Sequence, residues 1–226
     1  MAGGVRGTQS YASEADDLFE RYESFAFETV HEAVMPFYPS PPARVLDTGA
    51  GTGRDADWFD KAGYCVTAVE PCDALRERAM RLHPSPSIEW LDDSLPDLNH
   101  LKDRVETFDL VQLSAVFMHL DADERQVAFP VLACLLKPGG RLVLLVRHGP
   151  VPEGRCMFDV PVDEMLALAA TSGLDCLKSV KRESAGEANR RAGVTWMNYV
   201  FEKGVIEASR PAGPDKPCEE TRDGKA

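Results

Sequence analysis

From residue 43 onward the chain alternates short apolar runs with amphipathic stretches, and that alternation predicts a parallel β-sheet flanked by helices. Apolar runs near 43–47, 65–69, 88–91, 108–113, 141–147, 174–181 and 194–202 read as seven strands. Helical spacing fits 54–62, 73–82, 123–136 and 161–172, with Gly63 and Gly173 where helix C-caps belong. Lys137-Pro138-Gly139-Gly140 predicts a tight turn into a buried strand flanked by Arg141 and Arg147. The last two runs, separated by the polar stretch 182–193, suit an antiparallel hairpin. Upstream, Leu18, Tyr22, Phe25, Ala26, Val30, Ala33 and Val34 recur at steps of three and four, predicting one helix over 13–36. Ser13 and Asp16 form its capping box, and Pro36 with the run Pro39-Ser40-Pro41-Pro42 ends it. The tail from about Gly204 has little apolar content and reads as disordered. The expected fold is therefore α/β: a doubly wound, seven-stranded, mostly parallel sheet.

Within that pattern, Ala43–Pro71 carries the chemistry. The first strand ends in Asp47, a turn follows with Gly49, Gly51 and Gly53, and the second strand closes on Glu70, seventeen residues after the last glycine. Glycines let a backbone turn tightly and approach a nucleotide, and a carboxylate ending the next strand can accept both ribose hydroxyls. Counting G-x-G-x-x-G from Gly49 meets Arg54, whereas counting from Gly51 meets Ala56, so spacing alone leaves a dinucleotide open.

The motif D-x-G-x-G-x-G resembles motif I of the class I S-adenosylmethionine-dependent methyltransferases. The resemblance runs over about residues 11–203, most strongly over 43–120, and LLKPGGRLVL resembles the family's turn into its fifth strand. It implies a Rossmann-like fold with an antiparallel C-terminal hairpin, and S-adenosyl-L-methionine as cofactor. Residues 1–42 would be an N-terminal helical lid and linker, 43–203 the cofactor-binding domain and 204–226 the tail. Asp47 would order the loop and the cofactor's amino group, with Glu70 on the ribose. SYASEADDLFERYESF resembles the lid, with Tyr22, or Tyr11, as its contact with cofactor or substrate. IEWLDDSLPDL resembles the third motif, in which an acid takes the adenine amino group. Asp92 and Asp93 both qualify, Asp92 being favoured because it directly follows the apolar run, and Leu75 and Leu91 could sandwich the ring. FDLVQLSAVFMHL resembles the fourth motif and would bring Ser114, Phe117, Met118 and His119 close to the sulfonium. His119 and His148 are the candidate catalytic bases at the carboxyl edge of the sheet.

Composition bears on what the protein acts upon. The chain has 226 residues, 44% of them hydrophobic, which is enough for one full sheet and its core. Its net charge is −12, so phosphate backbones are repelled and DNA is not an expected partner. The basic cluster Lys178, Lys181, Arg182, Arg190 and Arg191 is interleaved with Glu183 and Glu187 and reads as a solvated hairpin. No apolar run reaches the ~20 residues that cross a bilayer, and the first residues lack a secretory h-region. Six cysteines without a C-x-x-C pair read as reduced thiols of a cytoplasmic protein, and His31, His83 and His100 show no metal spacing. Tyr199 and Lys203 match a dehydrogenase Tyr-x-x-x-Lys, but they fall in a terminal strand instead of a mid-chain helix. The expected activity is methyl transfer to an unidentified small-molecule acceptor, without membrane or metal. Its alternative is a cofactor-binding sensor or scaffold whose edge at 114–119 is closed to any acceptor.

Overall fold

The computed structural model describes residues 15–205. Seven strands, β1 (Arg44–Thr48), β2 (Cys65–Val69), β3 (Glu89–Leu91), β4 (Phe108–Ser114), β5 (Leu136–His148), β6 (Leu174–Glu183) and β7 (Thr195–Lys203), form one sheet in the order β3-β2-β1-β4-β5-β7-β6. β1 to β5 pair in parallel, and β7 runs antiparallel to both β5 and β6. The helices are α1 (Ala15–Glu23), α2 (Phe27–His31), α3 (Arg54–Lys61), α4 (Asp73–Leu82), α5 (Ala122–Leu135), α6 (Val162–Thr171) and α7 (Glu187–Arg191).

The central strands are apolar on both faces because successive side chains serve two different cores. Val45, Leu110, Val143, Leu145 and Val200 point to one side and pack with Phe59 and Phe27. Leu46, Val111, Leu142, Leu144 and Phe201 point to the other and pack with Phe129 and Leu132 of α5. The start of α5 is set by its sequence: Asp121 accepts from the Glu124 N–H and Glu124 from the Asp121 N–H, both at 2.9 Å.

Three details differ from the pattern read along the chain. The single helix expected over 13–36 is α1, α2 and a 3₁₀ turn at Met35–Phe37, because Ala26 is extended (φ −62°, ψ 141°). The break serves two sets of contacts that one straight helix could not make. Leu18 and Tyr22 of α1 border the carboxyl edge of the sheet, while Phe27 of α2 stacks on Trp58 with centroids 3.9 Å apart. Ser13 and Tyr11 lie outside the described residues. Lys137–Gly140 belongs to β5 as an irregularity: the register with β4 shifts between Phe108 and Leu110, and Gly139 has φ +77°. The polar stretch before β7 is not a simple hairpin loop, since it carries α7. Cys65, Cys134 and Cys176 sit in β2, α5 and β6, yet all three are exposed, and every described cysteine is free.

The glycine turn is held from two sides. Gly49 and Ala50 both donate to the Val69 carbonyl, at 2.8 and 2.9 Å, which ties the turn to the end of β2. Gly49 has φ +73°, and a Cβ there would sit 2.4 Å from Cγ2 of Val116. We predict that Gly49→Ala lowers the unfolding free energy by about 1–2 kcal/mol from its backbone conformation alone, with the collision adding to that. Urea denaturation should show Gly49→Ala/Val116→Ala recovering the steric part of the loss but not the rest.

Candidate functional site

The carboxyl ends of β1, β2 and β4 open onto two adjoining cavities, where ligands bind in open α/β sheets. Both touch Tyr22, Gly49, Gly51, Thr52, Ser114 and Ala115. The outer one is also bordered by Glu70, Leu75, Asp93 and Leu95. The inner one, about 450 Å³ against about 120 Å³, reaches from Asp47 and Arg54 to the segment between β6 and β7. Ala115 holds φ +62° where they meet, an unusual conformation for a residue with a Cβ, and its N–H is fixed to the Leu145 carbonyl at 2.9 Å.

Asp55, at the start of α3, organises the floor. Its Oδ1 accepts from Arg54 through Nε (2.8 Å) and Nη2 (2.6 Å). Its Oδ2 accepts from His31 Nε2 (2.8 Å) and Gln112 Nε2 (3.1 Å). All four lone-pair positions of the carboxylate are thereby filled. Tyr38 donates its hydroxyl proton to Gln112 Oε1, so the Tyr38 hydroxyl oxygen is the acceptor for His31 Nδ1 at 3.2 Å. Burial pushes the Asp55 carboxyl up, but His31 and Arg54 outweigh it and hold the group well below its ordinary range. Arg54 also donates to the Tyr22 carbonyl at 3.1 Å, which carries the network to α1. α1 is held further by Phe19, which packs on Leu75 and Ala79 under the Arg78 guanidinium. His83 adds to this, lying 3.3 Å from Glu23 and 3.4 Å from Asp57.

Asp47 is different. It is 1% exposed, and its Oδ2 has no hydrogen-bond partner. Burial raises its pKa well above the ordinary 3.8, and the negative Asp55 raises it further. Two neighbouring carboxyls thus have their affinities for a proton driven apart, one saturated by its partners, the other with an oxygen left unpartnered. A ligand ammonium is the group that would complete it. Beside it, Thr48 Oγ1 is also buried and unpartnered.

Glu70 borders the outer cavity, where its two oxygens accept the N–H groups of Gly51 (2.8 Å) and Cys72 (2.9 Å). Burial is the main cause that raises its pKa. Each oxygen keeps a second lone pair for a ligand hydroxyl. Asp93 is buried at the cavity edge and accepts from the N–H groups of Ser94 (2.8 Å), Asn99 (3.1 Å) and His100 (2.7 Å). Asp92, the acid favoured from its place in the sequence, instead points outward, 64% exposed and 3.3 Å from Arg76, and does not border the cavity. Leu75 borders the cavity as expected, but Leu95 accompanies it where Leu91 was expected.

The fourth segment is only partly as anticipated. Ser114 touches both cavities, whereas Phe117 and Met118 are buried in the core against α5. His119 borders the outer cavity and not the inner one. Its Nδ1–H donates to the Cys156 carbonyl at 2.7 Å, leaving the lone pair on Nε2, and burial lowers its pKa. His148 borders neither cavity: its ring lies 3.7 Å from Asp159, so the structure does not bring it to the site. Sequence reasoning missed Asp55, His31 and Gln112, because their partnership spans 24 and 57 residues. The one local signal was Arg54-Asp55 immediately after the last glycine.

With an orphaned acid, a second acid that keeps free lone pairs, a glycine cradle and apolar walls in one cleft, the residues fit an amino-acid nucleoside cofactor. The sequence profile of a methyltransferase-domain family matches residues 46–144. The chain is thus similar to S-adenosylmethionine-dependent methyltransferases over its cofactor-binding half, and it shares their fold. An uncharacterised methyltransferase of Alkaliphilus oremlandii is 27% identical over 132 residues, covering 58% of this chain and 56% of the relative. Glycine N-methyltransferase of Rattus norvegicus is 32% identical over 135 residues, covering 51% and 46%. The chain therefore spans about half the length of these curated relatives. Among solved structures, Burkholderia thailandensis 1,6-didemethyltoxoflavin-N1-methyltransferase, with S-adenosylhomocysteine bound, shares the fold. Its TM-score is 0.59 at 18% identity, covering 91% of this chain and 94% of that one. Among the described residues no group of three metal-ligating side chains occurs, and no helix is long and apolar enough to cross a membrane.

The Asp55 network makes a direct test. His31→Leu leaves a buried carboxylate short of one charge partner and should cost about 3–5 kcal/mol in urea denaturation. His31→Leu/Asp55→Leu should regain only part of that loss, since the carboxylate is gone but Arg54 then lacks its partner.

Proposed function

We propose that this protein transfers a methyl group from S-adenosylmethionine to a small-molecule acceptor, in the cytoplasm. The observation that carries the reading is the pair of joined cavities: one is framed by Glu70 and Asp93, and the other continues from Asp47 and Ser114 into further open space. A sensor or scaffold with a closed edge would have no use for that second cavity. Two relatives named for glycine and for a toxoflavin precursor as acceptors support a small molecule.

Bound S-adenosylmethionine supplies a methyl group on a positively charged sulfur, open to attack by a lone pair. In our reading the Asp47 carboxylate holds the ammonium and the second lone pairs of Glu70 hold the ribose hydroxyls. Asp93 and Leu95 border the adenine. Ser114 and Tyr22, which touch both cavities, flank the point of transfer and align acceptor with methyl, so positioning provides much of the rate. The acceptor gains the methyl carbon, the carbon–sulfur electron pair returns to sulfur, and any acceptor proton leaves to water. No histidine borders the inner cavity, so His119 enters as a neighbour of the cofactor and not as a base.

Isothermal titration should give micromolar binding of S-adenosylhomocysteine and none of NADH; the reverse would overturn the assignment. Glu70→Gln should weaken S-adenosylhomocysteine at least about tenfold, because charge-assisted hydrogen bonds of about 1.5–3 kcal/mol become neutral ones. Asp93→Asn should weaken it and Asp92→Asn should not.

A pH dependence follows from Asp47. Because its folded pKa is raised, the neutral carboxyl stabilises the empty protein; that contribution is complete below the unfolded value and is lost as pH rises through the folded one. Binding an ammonium requires the ionised form. Affinity for S-adenosylhomocysteine should therefore fall as pH drops through the raised value, starting above the ordinary 3.8. Asp47→Asn should bind weakly throughout and flatten the profile, measured by titration across pH.

A further inference from the structure

The inner cavity carries a charge pattern unlike the rest of the molecule. The chain as a whole is at −12, yet the cavity is lined by Arg21, Arg54, Arg182 and Arg190. Arg54 is committed to Asp55, and Asp47 is reserved for the cofactor's ammonium in the reading above. Toward the segment joining β6 and β7 the lining holds Arg182 and Arg190 with one carboxylate, the exposed Glu183, while Arg21 of α1 adds a third cation to the wall. Arg190 donates to the Ser184 carbonyl at 2.8 Å and to that of Ala185 at 2.5 Å. Arg182 pairs with Glu32 of the N-terminal segment at 2.6 Å, and Glu32 is itself 73% exposed. Both guanidiniums are anchored with donors to spare, and a ligand anion would meet them at the cavity wall.

The other walls narrow the acceptor. Tyr22, Phe25 and Trp196 line the same cavity, and Phe25 lies close enough to Gly186 that a Cβ there would be 3.3 Å from its ring edge. Asn198, on β7, is 1% exposed, borders the cavity, and its Oδ1 has no hydrogen-bond partner. A buried carbonyl oxygen in that position calls for a ligand N–H or O–H. The absence of a lining histidine favours a nucleophile whose lone pair is already available at neutral pH, as in an arylamine.

We propose that the acceptor is a small aromatic amino acid of the aminobenzoate type. Its carboxylate is held by Arg182 and Arg190, its ring by Tyr22, Phe25 and Trp196, and its amino N–H by Asn198. This rests on the methyltransferase reading and specifies its acceptor. In the transfer the amine nitrogen forms a bond to the methyl carbon, the carbon–sulfur bond breaks with its electron pair going to sulfur, and one ammonium proton is released to water.

The test uses the full chain saturated with S-adenosylhomocysteine, titrated with anthranilate, 3-aminobenzoate and 4-aminobenzoate, each against its own carboxamide. At least one carboxylate should bind at least about tenfold more tightly than its amide, and Arg182→Gln/Arg190→Gln should abolish that preference. The variant's affinity for S-adenosylhomocysteine should stay within about twofold, which also reports that it is folded. A binding carboxylate should become N-methylated when S-adenosylmethionine replaces the product. Equal or tighter binding of the amides, no binding of any carboxylate, or a preference unchanged in the double variant would overturn the acceptor assignment. Failure of the wild-type protein to bind S-adenosylhomocysteine would instead overturn the methyltransferase reading, so the two failures are distinguishable.

Discussion

A single buried carboxylate holds the site together. Asp55 sits where desolvation of a charge costs several kcal/mol, and it is tolerated because His31, Arg54 and Gln112 fill all four of its lone-pair positions. Those partners come from α2, from α3 itself and from β4, so satisfying one charge fixes three parts of the chain relative to one another. Arg54 then extends the constraint to the Tyr22 carbonyl. The N-terminal segment is placed over the carboxyl edge of the sheet by this electrostatic requirement together with the stacking of Phe27 on Trp58.

The same charge sets the character of its neighbour. Asp47 cannot share the partners of Asp55, and it feels both burial and a negative charge close by. A carboxyl left in that state is poor for stability and suited to binding, because a cationic ligand lets it ionise. The saturated acid builds the framework and the unsaturated one is left for chemistry. Glu70 combines both roles, with one lone pair of each oxygen ordering the backbone at Gly51 and Cys72 and the other facing the cavity. That double use explains why an acid at the end of β2 is tied to the glycine turn at the end of β1.

Much of the fold was legible because sheet and helix periods are local properties. The alternation of apolar and polar positions placed β2 and α4 at their observed bounds, and the acid–glycine–acid spacing marked the edge where the cavities lie. What went unread depended on contacts between distant residues. The break at Ala26 reflects Phe27 finding Trp58 and His31 finding Asp55, and nothing within 13–36 announces either. Phe117 and Met118 read as edge residues by their place after β4, but the 3₁₀ turn at Phe117–His119 directs both into the core. Asp93 lies buried at the cavity edge, and Asp92 outside it, because three backbone donors converge on Asp93.

The sequence by itself determined the strand and helix succession, the glycine turn and the two acids that bracket it, because each of these is encoded within a few residues. Tertiary structure alone decided which polar groups end up partnered and which are left wanting. Arg182 and Arg190 read as a solvated surface along the chain, and only the packing of β6, α7 and β7 beside the glycine turn makes them walls of a cavity. The physical reason is that burial and hydrogen-bond satisfaction depend on every element that packs around a side chain, and those elements are brought together only by folding.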